Sequence, residues 1–404
     1  MTTIEQKLRE LSPEKRKALL EKAKRAKAKK ETEAGFLPSE SLTEVGMDFS
    51  LIFFSGNGST EDPGKYDLLI EAAKFADEAG FSAIITPERH LQPVGGLFPN
   101  PSVLNAALAM VTKNIQLRAG SVVIPLHNPI RVAEEWSVVD NLSGGRAAIS
   151  LATGWHPADF ILAPESFENR RDILFKNVEM IQKLWAGESV PMNDITGNAV
   201  DVVTLPRPVQ RQLPMFLTSS GNPETWKKAG QMGLNVLCSL ANHSVEDLVK
   251  YIAMYREQRK ANGFDPDAGV VSTMVHAYVG ESDEAVKSLV KEPLRDFLNG
   301  YINQNDTLNP FKDKNKEVRD VIDKDREALI SYAFEKHFSQ TSLMGSKEKC
   351  AKMVQRLHDA GVNEIACLVD FGLPQSEVMA GLQPLADLKA VFAKKNNSAK
   401  SEVL

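Results

Sequence analysis

Three features of the sequence predict an α/β protein built as a (β/α)8 TIM barrel with insertions. From Met47 onward, short apolar runs alternate with stretches of helical period, and such alternation demands parallel strands joined by right-handed crossovers. Eight apolar runs can be counted, and eight units are the number that closes a barrel. An open doubly wound sheet ranks second, because the turn after residue 54 lacks the G-x-G-x-x-G fingerprint of a dinucleotide site.

The first thirty residues stand apart. Eleven Lys or Arg against four Glu give them +7, so the remaining 374 carry −12 of the net −5. Leu11-Ser12-Pro13-Glu14 supplies a Ser N-cap, a Pro at the first helical position and an acidic first turn. Residues 1–46 are therefore expected to be a charged helical extension and linker, 47–395 the barrel, and 396–404 a polar tail. The first barrel strand is expected in MDFSLIFF (47–54), closed by Ser55-Gly56-Asn57-Gly58, and its helix over Tyr66 to Ala79, stopped by Gly80. Further strands are expected at 81–86, 116–124, 146–152, 214–219, 234–239, 270–279 and 363–369. Helices are expected near 101–112, 129–142, 170–186, 223–232, 244–262, 282–299, 346–360 and 375–394. The stretches 187–213 and 300–345 exceed ordinary connections and are candidate lids.

Composition bounds the function. The 44.5 kDa chain is 43% hydrophobic and 25% charged, as expected of a soluble globular protein. A charge so near neutral recommends neither nucleic acid nor a membrane as partner. No run reaches the ~18 apolar residues of a membrane helix, and the polar N-terminus does not resemble a signal peptide. Cys238, Cys350 and Cys367 are too few and too scattered for a disulfide framework or a metal site. A cytoplasmic protein is expected.

In a barrel, chemistry sits at the C-terminal ends of the strands. There the sequence places Ser55-Gly56-Asn57, Pro87-Glu88-Arg89-His90, Ser121 and His127, Thr153-Gly154-Trp155-His156, Ser219-Ser220-Gly221-Asn222, His243, His276 and Asp370. Five of seven histidines fall near the predicted mouth, which suits proton transfer or hydrogen bonding to a polar cofactor. Few carboxylates and no H-x-H or H-E-x-x-H spacing argue against a metal. The Ser219-Ser220-Gly221-Asn222 turn before Pro223 offers hydroxyls, backbone N–H groups and a helix N-terminus to a phosphate, or is a simple N-cap. Arg170-Arg171 opens the helix of the preceding unit, as a second phosphate ligand or as a solvated face. The small residues Ala119-Gly120-Ser121 either admit a flat ring or fit the taper of the barrel.

The stretches TPERH…GGLFPNPSV (86–103), IPLHNPIRVAEEWSVVDNLSGGRAAISLATGWHPADF (124–160) and PESFENRRDILF (164–175) resemble the bacterial luciferase-like flavin monooxygenases. The similarity is greatest to the branch associated with natural-product megasynthases, and LSPEKRKALLEK (11–22) resembles helical segments that flank modules of those enzymes. The resemblance implies a (β/α)8 barrel that binds FMN in reduced form and reacts it with O2. It implies phosphate contacts from Arg171, Ser219, Ser220 and Gly221, with Thr153 also at the cofactor, and a flavin ring supported at Gly120-Ser121 by a cis peptide. Glu88 and His90 match two positions of the family's E-H-H motif. Arg89 stands where luciferase has its catalytic histidine, and Ala152 and Thr153 stand where it has a reactive cysteine and a phosphate-binding arginine, so light emission from aldehydes is not carried over. Arg89 cannot act as a base but can hold an anionic or thioester-like oxygen, leaving His90 or His156 to move protons. Trp155 and Phe98 are candidate hydrophobic walls.

The function expected is oxygenation of an organic substrate, a small molecule or one bound to a carrier protein. Electrons would come from a separate NAD(P)H:flavin reductase, and a homodimer is expected from the resemblance. The alternatives are hydride transfer with a flavin or deazaflavin, and flavin binding without turnover.

Overall fold

The structure is a computed structural model, and it describes residues 46–54, 64–92, 94–241, 243–307, 328 and 330–393. The expectations for the extension, for Ser55-Gly56-Asn57 and for the tail fall outside the described residues. Nine strands make one sheet: β1 (Asp48–Ile52), β2 (Ala83–Thr86), β3 (Gln116–Val123), β4 (Ala147–Ala152), β7 (Met215–Ser219), β8 (Asn235–Ser239), β9 (Val271–Gly280), β10 (Leu343–Ser346) and β11 (Glu364–Leu368). The intervening β5 (Val190–Asn193) and β6 (Ala199–Val202) form a separate antiparallel hairpin. Eight strands pair in parallel in the order β1, β2, β3, β4, β7, β8, β9, β11, and β11 pairs back onto β1, which closes the cylinder. All eight barrel strands coincide with the apolar runs expected from the sequence.

Each barrel strand is followed by a helix: α1 (Asp67–Glu78), α2 (Pro101–Ala109), α3 (Pro129–Ser143), α4 (Arg170–Ala186), α5 (Pro223–Gln231) and α6 (Val245–Ala261). After β9 come α7 (Asp283–Thr307), α8 (330–340) and β10, before the barrel helix α9 (Lys347–Asp359); α10 (Gln375–Val391) follows β11. An Asn-Pro pair starts three helices at the mouth. Asn100, Asn128 and Asn222 each accept a first-turn N–H, while Pro101, Pro129 and Pro223 fill a position that needs no donor. At the other end of α3, Gly144 takes the left-handed conformation, φ 68°, that a C-cap requires.

Side chains alternate along each strand, so one inward residue fixes the rest. At the bottom of the cylinder Arg118 holds Glu364 through Nη1–Oε1 at 2.7 Å and Nη2–Oε2 at 3.0 Å, its guanidinium 4.0 Å from the Phe216 ring centre. Ser82 and Ser272 donate to the same carboxylate. Burial pushes Glu364 up, but the Arg118 charge and these donors bring it down to about 2. Counting two residues along from Phe216 and Ser272, Thr218 and Met274 also face inward. With Ala152 and Ser239 they are half-buried at the C-terminal end, and together they floor an open recess.

One lid expectation is corrected. The stretch 187–213 follows a helix and precedes a strand, so it lies at the N-terminal face, away from the mouth. Gln210 binds the Ala147 carbonyl at the start of β4 and Arg207 binds the Leu184 carbonyl at the end of α4. The hairpin's Val190, Met192 and Val202 pack with Ala133 and Leu184. The described residues between β9 and α9, 281–307 and 330–346, are on the mouth side. Among them Phe297 lies edge-on to Phe54 at 6.3 Å and to His276 at 4.9 Å.

Candidate active site

The first functional cluster is built on one buried carboxylate. Glu88, just beyond β2, is 4% exposed. Its Oε2 accepts the Val123 N–H at 2.6 Å, and its Oε1 meets His127 Nε2 at 2.6 Å and His90 Nε2 at 2.9 Å. Burial pushes the carboxyl up, but the hydrogen bonds from His127 and His90 and the Val123 amide outweigh it and hold it below the usual carboxylate range. For His127, burial pulls down while Glu88, and more weakly Glu135, pull up more strongly, so its imidazolium is favoured.

A second cluster adjoins the first. The buried Arg89 guanidinium sits 5.4 Å from the Phe54 ring centre and 5.0 Å from that of Trp155, a geometry that places a fixed cation between two aromatic rings. Trp155 stands edge-on to His156 at 5.4 Å. His156 Nδ1 accepts the Ala158 N–H at 3.3 Å, which assigns the proton to Nε2, and Nε2 is buried with no hydrogen-bond partner. Burial lowers the His156 pKa, with Asp159 opposing and Arg89 reinforcing, so the ring is neutral. Asp159 is buried too, its Oδ1 without a partner. Burial raises its pKa against the charges of Arg89, His156 and His90 and the His90 backbone N–H. Two buried polar atoms lacking partners, beside a guanidinium, are what a ligand with its own donors and acceptors would complete.

On the third strand the Gly120–Ser121 peptide is cis, and the β3–β4 register shifts between Ala119 and Val122. Ser121 Oγ lies 2.5 Å from Thr218 Oγ1 on the floor of the recess. A Cβ on Gly120 would stand 2.3 Å from Ile85 Cγ2, so the small residue at 120 is required by the barrel core. Thr153 is half-buried just past β4, its hydroxyl 3.4 Å from the Gly154 carbonyl.

The turn after β7 is the third cluster. Ser219 is buried and its Oγ has no hydrogen-bond partner; Ser220 is exposed. Gly221 adopts φ 95°, and a Cβ there would stand 3.0 Å from His243 Nδ1. Asn222 caps α5, so the turn is an N-cap as well as an open row of donors. Arg171 is exposed at the start of α4, and α4 neighbours α5 through Phe175 and Lys228, whose ammonium is 5.3 Å from the ring centre. Arg171 and the Ser219–Gly221 turn thus share one rim, on adjacent units. Arg170 instead donates to the Phe167 carbonyl at 2.6 Å.

The structure therefore brings Glu88, Arg89, His90 and His156 together, with Gly120, Ser121 and Thr153 on neighbouring strand ends, and Arg171, Ser219, Ser220 and Gly221 on the same rim. Among the residues outside the expected set, Asp159 and the Glu88 bond of His127 matter most. Both residues fall within the 124–160 stretch that carries the family resemblance, but nothing local marks a contact across 39 positions. Phe98, expected as a wall, is 2% exposed and its carbonyl accepts the Arg89 N–H, whereas Trp155 is 40% exposed. His276 is buried under the insertion, bonded through Nδ1 to His337 Nε2 at 2.9 Å.

A closed parallel barrel with histidines, a buried guanidinium and an N-capping Ser-Ser-Gly-Asn turn at its C-terminal rim has the architecture of a TIM-barrel enzyme. The model of the luciferase-like monooxygenase family matches residues 47–364, and the chain belongs to that family of oxidoreductases. The oxygenase component of a flavin-dependent trigonelline monooxygenase from Acinetobacter baylyi is 28% identical over 61% of this chain and 69% of its own. The crystal structure of monooxygenase RslO1 from Streptomyces bottropensis superposes with a TM-score of 0.69 at 22% identity, over 84% of this chain and 98% of its own. The oxygenating constituent of 3,6-diketocamphane monooxygenase from Pseudomonas putida, in complex with FMN, gives 0.67 at 18% identity, over 86% and 99%. Among the described residues no helix is long and apolar enough to cross a membrane, and no cluster of His, Cys, Asp or Glu could hold a metal.

Proposed function

We propose that this chain is an FMN-dependent monooxygenase that uses reduced flavin and O2 to oxygenate an organic substrate at the barrel mouth. The substrate is a natural-product intermediate, either free or tethered to a carrier protein. The observation that carries this reading is the buried, unpartnered Ser219 Oγ at the tip of β7, on the rim shared with Arg171 and beside the α5 N-terminus. Those groups suit a phosphate, with backbone N–H donors, a hydroxyl, a guanidinium and the positive end of a helix. The half-buried recess of Ala152, Thr218, Ser239 and Met274 suits the ring. Reduced FMN, when bound there, supplies the electrons that activate O2.

The chain's own residues then divide the remaining work. Arg89 holds a substrate oxygen, since a permanently charged guanidinium stabilises negative charge without giving up a proton. His156 donates from Nε2. His90, with Nε2 committed to Glu88, keeps Nδ1 open as the proton acceptor. Phe54, Trp155 and Phe297 exclude water, which preserves the reductant. A separate NAD(P)H:flavin reductase supplies reduced flavin, and the chain works as a homodimer.

Rapid mixing of the protein loaded with reduced FMN against oxygenated buffer tests the reading. The expected result is a delayed reoxidation phase that free reduced FMN lacks. Reoxidation identical to that of free flavin, together with hydride transfer to or from a deazaflavin, would favour the dehydrogenase alternative.

A further inference from the structure

We propose that His127 is a positioning residue that keeps His90 neutral by taking up the charge of Glu88, and that it is the end of this chain of hydrogen bonds that exchanges protons with solvent. The proposal rests on the reading of His90 as the proton acceptor. Val123 N–H pins one Glu88 oxygen at 2.6 Å, so the other is fixed between the two imidazole nitrogens at 2.6 Å and 2.9 Å. The His127 side chain is 32% exposed and that of His90 13%, which makes His127 the outer partner and His90 the inner one. The chain holds the outer ring in place. The end of β3 runs through a 3-10 turn (Ile124–Leu126), whose Ile124 carbonyl accepts the His127 N–H, and Asn128 then caps α3.

One carboxylate compensates one imidazolium, so the three groups titrate as a unit. The surrounding charges decide which ring carries the proton. Glu135 on α3 favours a cation at His127 only weakly, because its carboxylate is paired with Arg131 at 2.9 Å and accepts from Ser102. On the inner side, beyond β2 and β4, Asp159 is balanced by the permanent charge of Arg89, with neutral His156 beside them. The shorter bond to Glu88 and the greater exposure to solvent, which hydrates an imidazolium, place the excess proton on His127. His90 then donates Nε2–H to Glu88 and presents the Nδ1 lone pair to the site. Without a cation at 127, the whole Glu88 charge faces His90, which takes the proton and loses its lone pair.

Nitrogen-15 NMR of the flavin-free protein at pH 7 tests this, with the His90 resonances assigned by His90→Gln. In the wild type His90 should show the neutral Nε2–H form. In His127→Gln, which keeps a hydrogen bond but no charge, it should become imidazolium; in His127→Lys, which restores the cation, it should return to neutral. His90 unchanged between wild type and His127→Gln, or neutral with the proton on Nδ1 in the wild type, would overturn the proposal. In the same variants, the acidic limb of the kcat/KM profile should move to higher pH for His127→Gln and stay for His127→Lys. A uniform loss of rate with no movement of the limb would reduce His127 to a structural role. Because the NMR needs no flavin, an inactive wild type with the expected spectra would count against the monooxygenase reading and leave this one standing.

Discussion

Gly120 shows how a single residue serves the core and the site at once. Its missing side chain leaves room for Ile85, Leu237 and Ile52, whose nearest atoms would lie 2.3, 3.5 and 3.6 Å from a Cβ. Gly120→Ala should therefore overpack the barrel and cost about 1–3 kcal/mol, seen as a lower denaturation midpoint. Ile85→Ala in the same chain should recover part of the loss; no recovery would show that the backbone at 120 matters more than its volume. His156 makes a different prediction. Its Nε2 is buried without a protein partner, so His156→Phe should cost only the Ala158 N–H cap on Nδ1, about 1 kcal/mol, while raising KM or lowering kcat by tenfold or more, the scale of one lost charge-adjacent hydrogen bond. The strand-end residues were legible because barrel topology states where to look. Asp159 was not, because its meaning comes from Arg89 and His90, which lie about seventy positions away and meet it only once β2 and β4 are in place.

At the level of elements, the insertion after β9 is tied to the barrel by two neutral histidines. His276 on β9 and His337 on α8 share one hydrogen bond at 2.9 Å, and His337 also meets Thr341 Oγ1 at 2.8 Å. Burial depresses both, His337 to about 4 and His276 well below its usual value, with the His337 charge adding to the effect on His276. A depressed histidine is neutral in the folded state, so acid favours the unfolded chain. The contribution is intact above about pH 6.5 and falls as pH drops toward 4, at up to about 1.4 kcal/mol per pH unit for each group. Denaturant titrations at pH 7 and pH 5 should show that loss, and His337→Phe should shrink it. Equal pH dependence in the variant would detach the pair from stability. The short β10 and the β5–β6 hairpin escaped sequence reading for a physical reason. Leu343–Ser346 has four residues against a polar background, and the hairpin, with Pro191, is too exposed to show alternation. The lid assigned to 187–213 failed because length alone does not say at which end of a barrel a connection lies.

Across the whole molecule, closure of the cylinder sets both the stability and the site. The Arg118–Glu364 pair crosses the bottom of the interior at 3% exposure on each side. Removing one partner strands a buried charge, so Arg118→Met should cost about 3–5 kcal/mol, whereas the double change with Glu364→Leu should restore most of it. The alternation of strand and helix made the barrel legible throughout, since each of its eight strands is a buried apolar run with a helix before the next. We propose that the mouth holds a phosphate-bearing flavin through Arg171 and the Ser219–Gly221 turn. The most direct measurement is the affinity of the purified protein for FMN and for riboflavin, which differ only in the phosphate. FMN should bind at least about tenfold more tightly, a difference of about 1.4 kcal/mol, and Arg171→Ala with Ser219→Ala should abolish the preference. Equal affinity for the two flavins in the wild type, or a preference untouched by both substitutions, would contradict it.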